Sequence, residues 1–319
     1  MPSEATFPIQ IIEVGPRDGL QNEAVVLPWS MRAELVARLA YCGAARIEAV
    51  SFVNPKAVPA MADPGMVLRA ARDTGTSATL SALVLNPRGA REAIAECCAE
   101  VNVVVVASDT FSRRNQGRTR AESLRQTTDM VRDLRHAGIS TTLTIAAAFG
   151  CPFEGEVDAA TVDRIAAAGA EMAVDEIALA DTIGVASPRR VARLFRSVER
   201  ECPRIPLRAH LHDTRSAGLA NARAALDAGV NRLDASVGGF GGCPFAPMAT
   251  GNIATEDLAF MLERDGVATG LDIDAFCRTA EWLGTHLSRQ IPGGVANAER
   301  FPPDPVAQPD FRSTPEATA

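Results

Sequence analysis

Lysine is almost missing from this chain. Lys56 stands alone, and histidine occurs only four times. The 32 basic residues are therefore nearly all arginine, and 39 acidic residues outnumber them, for a net charge of −7. That balance argues against a nucleic-acid partner, which calls for a basic surface. It does not prevent binding of an anionic small molecule, because a local arginine cluster can act within an acidic whole. The seven cysteines are odd in number, follow no regular spacing and include no CxxC pair, and Cys97 and Cys98 are adjacent. A disulfide scaffold is excluded, and the expectation is a reduced, cytoplasmic protein. No apolar run approaches the roughly 18 residues of a membrane span. The opening MPSEATFPIQ has neither the basic nor the apolar region of a secretory signal, and PEATA is no peroxisomal address.

What is present is apolar and periodic. Hydrophobic residues make up 47% of the chain, which excludes disorder for most of its length. Short β-rich runs recur at 8–14, 46–52, 78–85, 101–107, 141–149, 176–181, 207–212 and 232–238. Between them lie segments of helical period such as SMRAELVARLAYCG and SPRRVARLFRSVERE, several closed by a glycine suited to a C-cap: Gly43, Gly138, Gly169 and Gly229. The strands read as apolar throughout, as expected when both faces are buried. Eight such units in about 280 residues predict an α/β protein, a (β/α)8 TIM barrel. A doubly wound sheet is the competing architecture, but GPRDG after the first strand is not GxGxxG. The barrel is expected over 1–287. The Pro-rich stretch 288–319, without periodicity, is expected to be a C-terminal extension, partly ordered or frayed.

In a barrel of this kind chemistry belongs at the C-terminal ends of the strands. Strand one runs into Gly15-Pro16-Arg17-Asp18-Gly19, strand two carries Glu48, strand three ends at Asn86, and strand six ends at Asp181-Thr182. Strand seven carries His210 and His212, and a glycine-rich loop after strand eight contains Cys243 and leads to Asn252. Residues two apart in a strand face the same way, so the two imidazoles share one face. With the carboxylate of Asp18 and the amide oxygen of Asn252 they form a mixed N/O donor set. It suits Mg²⁺ or Mn²⁺, with Co²⁺ or Zn²⁺ as further options. Arg17 can hold a developing enolate oxygen, or form a structural salt bridge to Glu48, or both. The Cys243 thiol, on a loop able to close over substrate, is a candidate for proton transfer, against the ordinary fate of a small buried hydrophobe. Cys42, Cys97, Cys98, Cys202 and Cys277 read as helix residues, Cys151 is ambiguous, and His136 and His286 read as solvated helix positions.

The segments EVGPRDGLQNE (13–23), SFVNPKAVPAMAD (51–63), CPFEGEV (151–157), LADTIGV (179–185), HLHDT (210–214), GGFGGCPFA (238–246) and TGNIATEDLAFMLE (250–263) together resemble the 3-hydroxy-3-methylglutaryl-CoA lyase family, over about residues 8–290. The Arg-Asp and His-x-His pairs mark a wider metal-dependent superfamily, and DGLQNE and GGCPFA point to the lyase branch. The resemblance implies a divalent metal on Asp18, His210, His212 and Asn252. It implies Arg17 as enolate stabiliser, Cys243 in proton transfer, and Glu48 and Asp181 as acidic positions tied to activity. The implied reaction is retro-Claisen cleavage of an acyl-CoA to acetyl-CoA and a keto acid, by an enzyme often found as a homodimer. Gln21, Lys56 and Arg215 are the implied substrate or CoA contacts, with Arg113, Arg114, Arg118 and Arg120 near the CoA phosphates.

One departure stands out. After HLHDT the chain reads Arg215-Ser216-Ala217-Gly218, where the family pattern has an aromatic residue, Gly and Gln. Arg215 is expected either to form a salt bridge to Asp213 or Asp181, or to bind a differently placed substrate carboxylate. The second option would favour citramalyl-CoA or a longer 3-hydroxy-3-alkylglutaryl-CoA. Ala178 and Ala180 also replace an expected Ser and Gly. Two other classes compete: a non-catalytic CoA- or metal-binding protein, and an Fe(II) oxygenase with a two-His, one-carboxylate triad.

Overall fold

The computed structural model describes residues 9–242 and 251–301. Its strands are β1 (Gln10–Glu13), β2 (Arg46–Ser51), β3 (Thr79–Val84), β4 (Glu100–Val106), β5 (Ser140–Ala146), β6 (Glu176–Asp181), β7 (Leu207–Leu211) and β8 (Arg232–Ala235). All pair in parallel in sequence order. β1 also pairs with β8, Gln10 opposite Arg232, which closes the sheet into a barrel. The helices are α1 (Trp29–Tyr41), α2 (Pro64–Asp73), α3 (Pro87–Ala95), α4 (Asp109–Gln116), α5 (Arg120–His136), α6 (Ala159–Glu171), α7 (Pro188–Glu201), α8 (Gly218–Leu226), α9 (Thr255–Arg264) and α10 (Ile273–Leu287). This is the (β/α)8 TIM barrel that the spacing predicts. Among the described residues no helix is long and apolar enough to cross a membrane.

The helices form for local reasons. α7 starts at Pro188, whose missing N–H is no loss in the first turn, and buries Val191, Leu194, Phe195 and Val198 on one stripe. A reciprocal capping box, Thr119 with Glu122, opens α5. Gly43, Gly138 and Gly229 end their helices with positive φ as expected. Gly169 does not. It lies inside α6, where a Cβ would come 2.7 Å from Leu143 Cδ2. Its smallness serves helix-to-sheet contact, and the chain turns later, at Ala173 with φ +58°.

The strands are not apolar on both faces. One face packs Ile47, Val101, Val103, Leu143, Ile177 and Leu233 into the core under the helices. The other fills the barrel with charge. Arg46 on β2 grips both oxygens of Glu176 on β6, at 2.9 and 3.0 Å, which only a contact through the interior allows. Arg46 also reaches Glu100 (2.7 Å), Arg232 reaches Glu176 (2.5 Å), and Arg208 reaches Glu176 (3.2 Å). Glu176 is held down to about 2: burial alone would raise it, but the surrounding guanidiniums outweigh burial. The apolar runs hide this layer because its members are spread singly over five strands. The extension beyond 287 folds back in part. Gly293 N donates to Gly238 O (2.9 Å), and Gly294 N and Val295 N donate to the Asp257 carboxylate (2.8 and 2.7 Å). The rest of the expected tail, 302–319, lies outside the described residues.

Candidate metal and substrate site

β1 is followed by a five-residue π-helical turn, Gly15–Gly19. The amides of Arg17, Asp18 and Gly19 all bond to Val14 O, at 3.2, 2.7 and 3.2 Å. The tight winding sets Arg17 and Asp18 side by side at the mouth of the barrel. Arg17 Nη1 lies 2.5 Å from Asp18 Oδ1, and Arg17 Nε pairs with Glu48 on β2. Glu48 therefore fixes the guanidinium from behind, as the salt-bridge expectation had it. Glu48 also accepts from Asn102 Nδ2 (2.9 Å), and Asn102 Oδ1 accepts from Thr144 (2.8 Å).

His210 lies on β7 and His212 just past its end, and both face the Arg17–Asp18 turn as the register predicts. Their Nε2 atoms are 3.2 Å apart. Asp18 Oδ2 lies 3.6 Å from His212 Nε2 and 3.8 Å from His210 Nε2. An isolated β-bridge between His212 and Asn252 brings the fourth residue in, with Asn252 Nδ2 donating to Asp18 Oδ2 (2.9 Å). Asp18, His210 and His212 each offer a ligand atom within 4.8 Å of the others. Ligand bonds of about 2.0–2.2 Å to one shared cation demand donor separations of this size. Among the described residues Asn252 Oδ1 is buried without a hydrogen-bond partner, as fits an oxygen available to a cation. Burial would raise the Asp18 carboxyl, but Arg17 and the two imidazoles hold it well below its usual range, so it is anionic, as a ligand to a cation needs to be.

Beside this cluster lies a cavity of about 140 Å³. Arg17, Asp18, Gln21, Asn22, His210 and His212 line one side. Leu83, Leu85, Val104, Val106, Phe111 and Ala146 line the other, with Asn102, Asn115 and Thr144 among them. Asn22 Nδ2 donates to Gly242 O (2.7 Å), tying the first loop to the glycine-rich one.

The other expected residues sit differently. Asp181 is buried beneath the loop after β6 and accepts from Val185 N and Ala186 N, both 2.9 Å. Burial raises its carboxyl against those two amides. It holds a loop and does not line the cavity. Arg215 Nη1 donates to the carbonyls of Ile183 and Gly184, both 2.9 Å, so it staples the loops after β6 and β7 and stands outside the cavity lining. Lys56 is exposed on the loop after β2. Arg120 donates to Ala107 O (2.7 Å), Arg118 to Gln116 O (3.1 Å), and Arg114 stacks on Phe153 at 4.2 Å. None of these lines the cavity. Asn86 caps α3 through Gly89 N (3.0 Å), and Cys151 accepts from Ser108 (2.9 Å). Cys243 falls outside the described residues.

Sequence reasoning missed Asp234, Arg208, Asn102 and Thr144 inside the barrel. It also missed Phe111 and Asn115 on α4. Only strand parity could have found the first four: Arg208 stands two residues before His210 and so shares its face.

A family model described as HMGL-like matches residues 8–283. The chain is 42% identical over 314 residues to (R)-citramalyl-CoA lyase of Chloroflexus aurantiacus, covering 96% of this chain and 99% of that protein. It is 40% identical over 292 residues to hydroxymethylglutaryl-CoA lyase of Pseudomonas mevalonii, covering 92% and 95%. Among solved structures, an HMG-CoA lyase from Acinetobacter baumannii in complex with coenzyme A and 3-methylmalate aligns with a TM-score of 0.86 at 37% identity, covering 92% of this chain and 96% of that one.

Proposed function

The chain belongs to the HMGL-like family, and on that premise we propose that it is a carbon–carbon lyase for an acyl-CoA of the 3-hydroxy-3-methylglutaryl type. The products are acetyl-CoA and an oxo acid. The observation that carries the reading is the convergence of Asp18, His210 and His212 beside Arg17, at one edge of a cavity whose far wall is largely apolar, with Asn102, Asn115 and Thr144 set into it.

Asp18, His210, His212 and Asn252 would hold a divalent cation, Mg²⁺ or Mn²⁺ by the hardness of the donors. Bound there, such an ion polarises substrate oxygens and makes the tertiary hydroxyl more acidic. The residues of the chain do the rest. The apolar wall seats the hydrocarbon part of the acyl group. A base at the site takes the hydroxyl proton, and the C2–C3 bond breaks to leave a carbonyl on one fragment and a thioester enolate on the other. Arg17, fixed by Glu48, faces the enolate oxygen with a positive charge that needs no rearrangement as the bond breaks. Cys243 is assigned the proton that turns the enolate into acetyl-CoA. Gln21 lines the cavity and is assigned a substrate contact.

The 42% identical citramalyl-CoA lyase favours a second reading of the acyl group, citramalyl-CoA split to pyruvate and acetyl-CoA. Because Arg215 bonds to backbone carbonyls, a changed carboxylate anchor at that residue lends this reading no support. A coupled acetyl-CoA assay with both thioesters, with and without EDTA, tests both. The expected result is EDTA-sensitive release from at least one. Release from neither, with the cation bound, would overturn the lyase reading. The six described cysteines are free, which supports a reducing, cytoplasmic setting. The family resemblance supports a homodimer, which size-exclusion chromatography checks.

A further inference from the structure

The two histidines at the site are backed differently. His212 Nδ1 is buried and has no hydrogen-bond partner among the described residues. His210 Nδ1 lies 2.9 Å from Asp234 Oδ2 on β8. Asp234 in turn is held by one guanidinium: Arg208 Nε stands 2.7 Å from Oδ1, and Nη2 donates to Oδ2 at 3.1 Å. Arg208 cannot drift, because Glu176 (3.2 Å) and Glu48 (3.7 Å) hold its other edges. Asp234 and Arg208 are almost completely buried. No solvent screens these contacts, and the planar fork of an arginine fixes the carboxylate in angle as well as distance.

Two consequences follow from the geometry. A carboxylate at Nδ1 makes that nitrogen the protonated one and leaves the Nε2 lone pair free, turned toward Asp18 and His212. The same Arg208 also touches Glu48, which fixes Arg17. One interior guanidinium thus contacts the carboxylate behind His210, at 2.7 Å, and the carboxylate behind Arg17, at 3.7 Å. Neither carboxylate nor the guanidinium needs to reach the substrate to matter.

We propose that Asp234, clamped by Arg208, is the positioning residue of the site: it fixes the tautomer and ring plane of His210 so that Nε2 is presented to a divalent cation. This rests on the reading that Asp18, His210 and His212 hold such an ion. The side chains belong to the paired strands β7 and β8, so their placement is set by that pairing and does not wait on loop movement.

The test is Mn²⁺ titration of the metal-free full chain by calorimetry, for wild type, Asp234→Asn, His210→Ala and the double variant, with thermal melts of each. Asp234→Asn is expected to weaken Mn²⁺ binding about 10- to 100-fold. In the His210→Ala background the same substitution is expected to change affinity less than about twofold, since the residue it orients is gone. A residue that merely braces the barrel would lower the melting temperature and leave the affinity of the folded chain unchanged. That result, or an undiminished Asp234→Asn effect without His210, overturns the proposal. Should Asp234→Asn fail to fold around an unpaired Arg208, the neutral pair Arg208→Gln with Asp234→Asn takes its place, with the same expectations. Wild type that binds no Mn²⁺ defeats the metal-site reading, and this proposal with it. Wild-type binding with a silent Asp234→Asn defeats this proposal alone.

Discussion

His212 and Cys243 carry different proposed duties at the level of single side chains, and substitution separates them. His212 is 3% exposed, and its Nε2 faces both Asp18 and His210. His212→Ala removes one of two imidazole donors. It is expected to abolish Mn²⁺ binding in the micromolar range and to bring lyase activity to background, read by titration and by the acetyl-CoA assay on one preparation. Cys243 is assigned proton transfer and no ligand duty. Cys243→Ser should keep wild-type Mn²⁺ affinity while slowing turnover by about 10²-fold or more, the usual scale of a lost general acid. Full-speed turnover by Cys243→Ser would remove the thiol from the reaction. Arg17 and Glu48 work as a pair in the same sense: one faces the cavity and the other keeps it there.

At the level of elements, the barrel depends on how closely its helices approach its strands. Gly169 is the clearest case. It sits in α6 over β5, and a methyl group added there would lie 2.7 Å from Leu143 Cδ2 and 3.6 Å from Ile177 Cδ1. Ala is the better helix former by about 1 kcal/mol, so propensity predicts stabilisation. Overpacking a filled core costs about 1–3 kcal/mol. Leu143 is fully buried and has no room to retreat, so contact wins, and Gly169→Ala is expected to lower the urea midpoint. A raised midpoint would show that α6 can lift off the sheet freely. The turn after β1 follows the same logic, because Gly15 leaves the space that Glu13 Oε1 occupies, 2.6 Å from where a Cβ would stand.

Over the whole molecule, two buried acids set how stability depends on pH. Glu13 accepts from Gly15 N, Val237 N and Thr255, and so ties the loops that follow β1 and β8, while Glu256 accepts from Gly238 N in the loop after β8. Burial pushes Glu13 up to about 7 and Glu256 up to about 8, from an ordinary 4.5, with Asp234 adding to the rise of Glu13 and Glu13 to that of Glu256. Between pH 4.5 and these values the folded chain keeps protons that the unfolded chain has lost. Stability contributed by this pair is thus complete below about pH 4.5 and is lost as pH rises through about 7 and then 8. Glu176, held down to about 2, acts oppositely and loses its share only as pH falls from about 4.5 toward 2. Glu256→Gln keeps an acceptor for Gly238 N and removes one ionisation. Its melting temperature is expected to fall less than that of wild type between pH 6 and 9 (about the window of these two groups). Parallel curves for the two proteins would show that Glu256 does not titrate there.

Elements and the candidate metal donors Asp18, His210 and His212 were legible in the sequence because their signals are local. Apolar runs at a regular interval announce strands and helices, the spacing of His210 and His212 puts two rings on one face, and Arg17-Asp18 adjoins the end of a strand. Those are properties of neighbouring residues and of the two-residue period of extended chain. Tertiary structure alone decided what stands behind the donors. His210 with Asp234, Arg208 with Glu176, and Asn102 with Thr144 meet when neighbouring strands pair in register, and Arg208 with Glu48 and Glu13 with Thr255 meet only when eight strands close on themselves. Closure also settled that Arg215 and Asp181 secure loops at the barrel mouth, since their partners are backbone groups whose direction no side-chain pattern encodes.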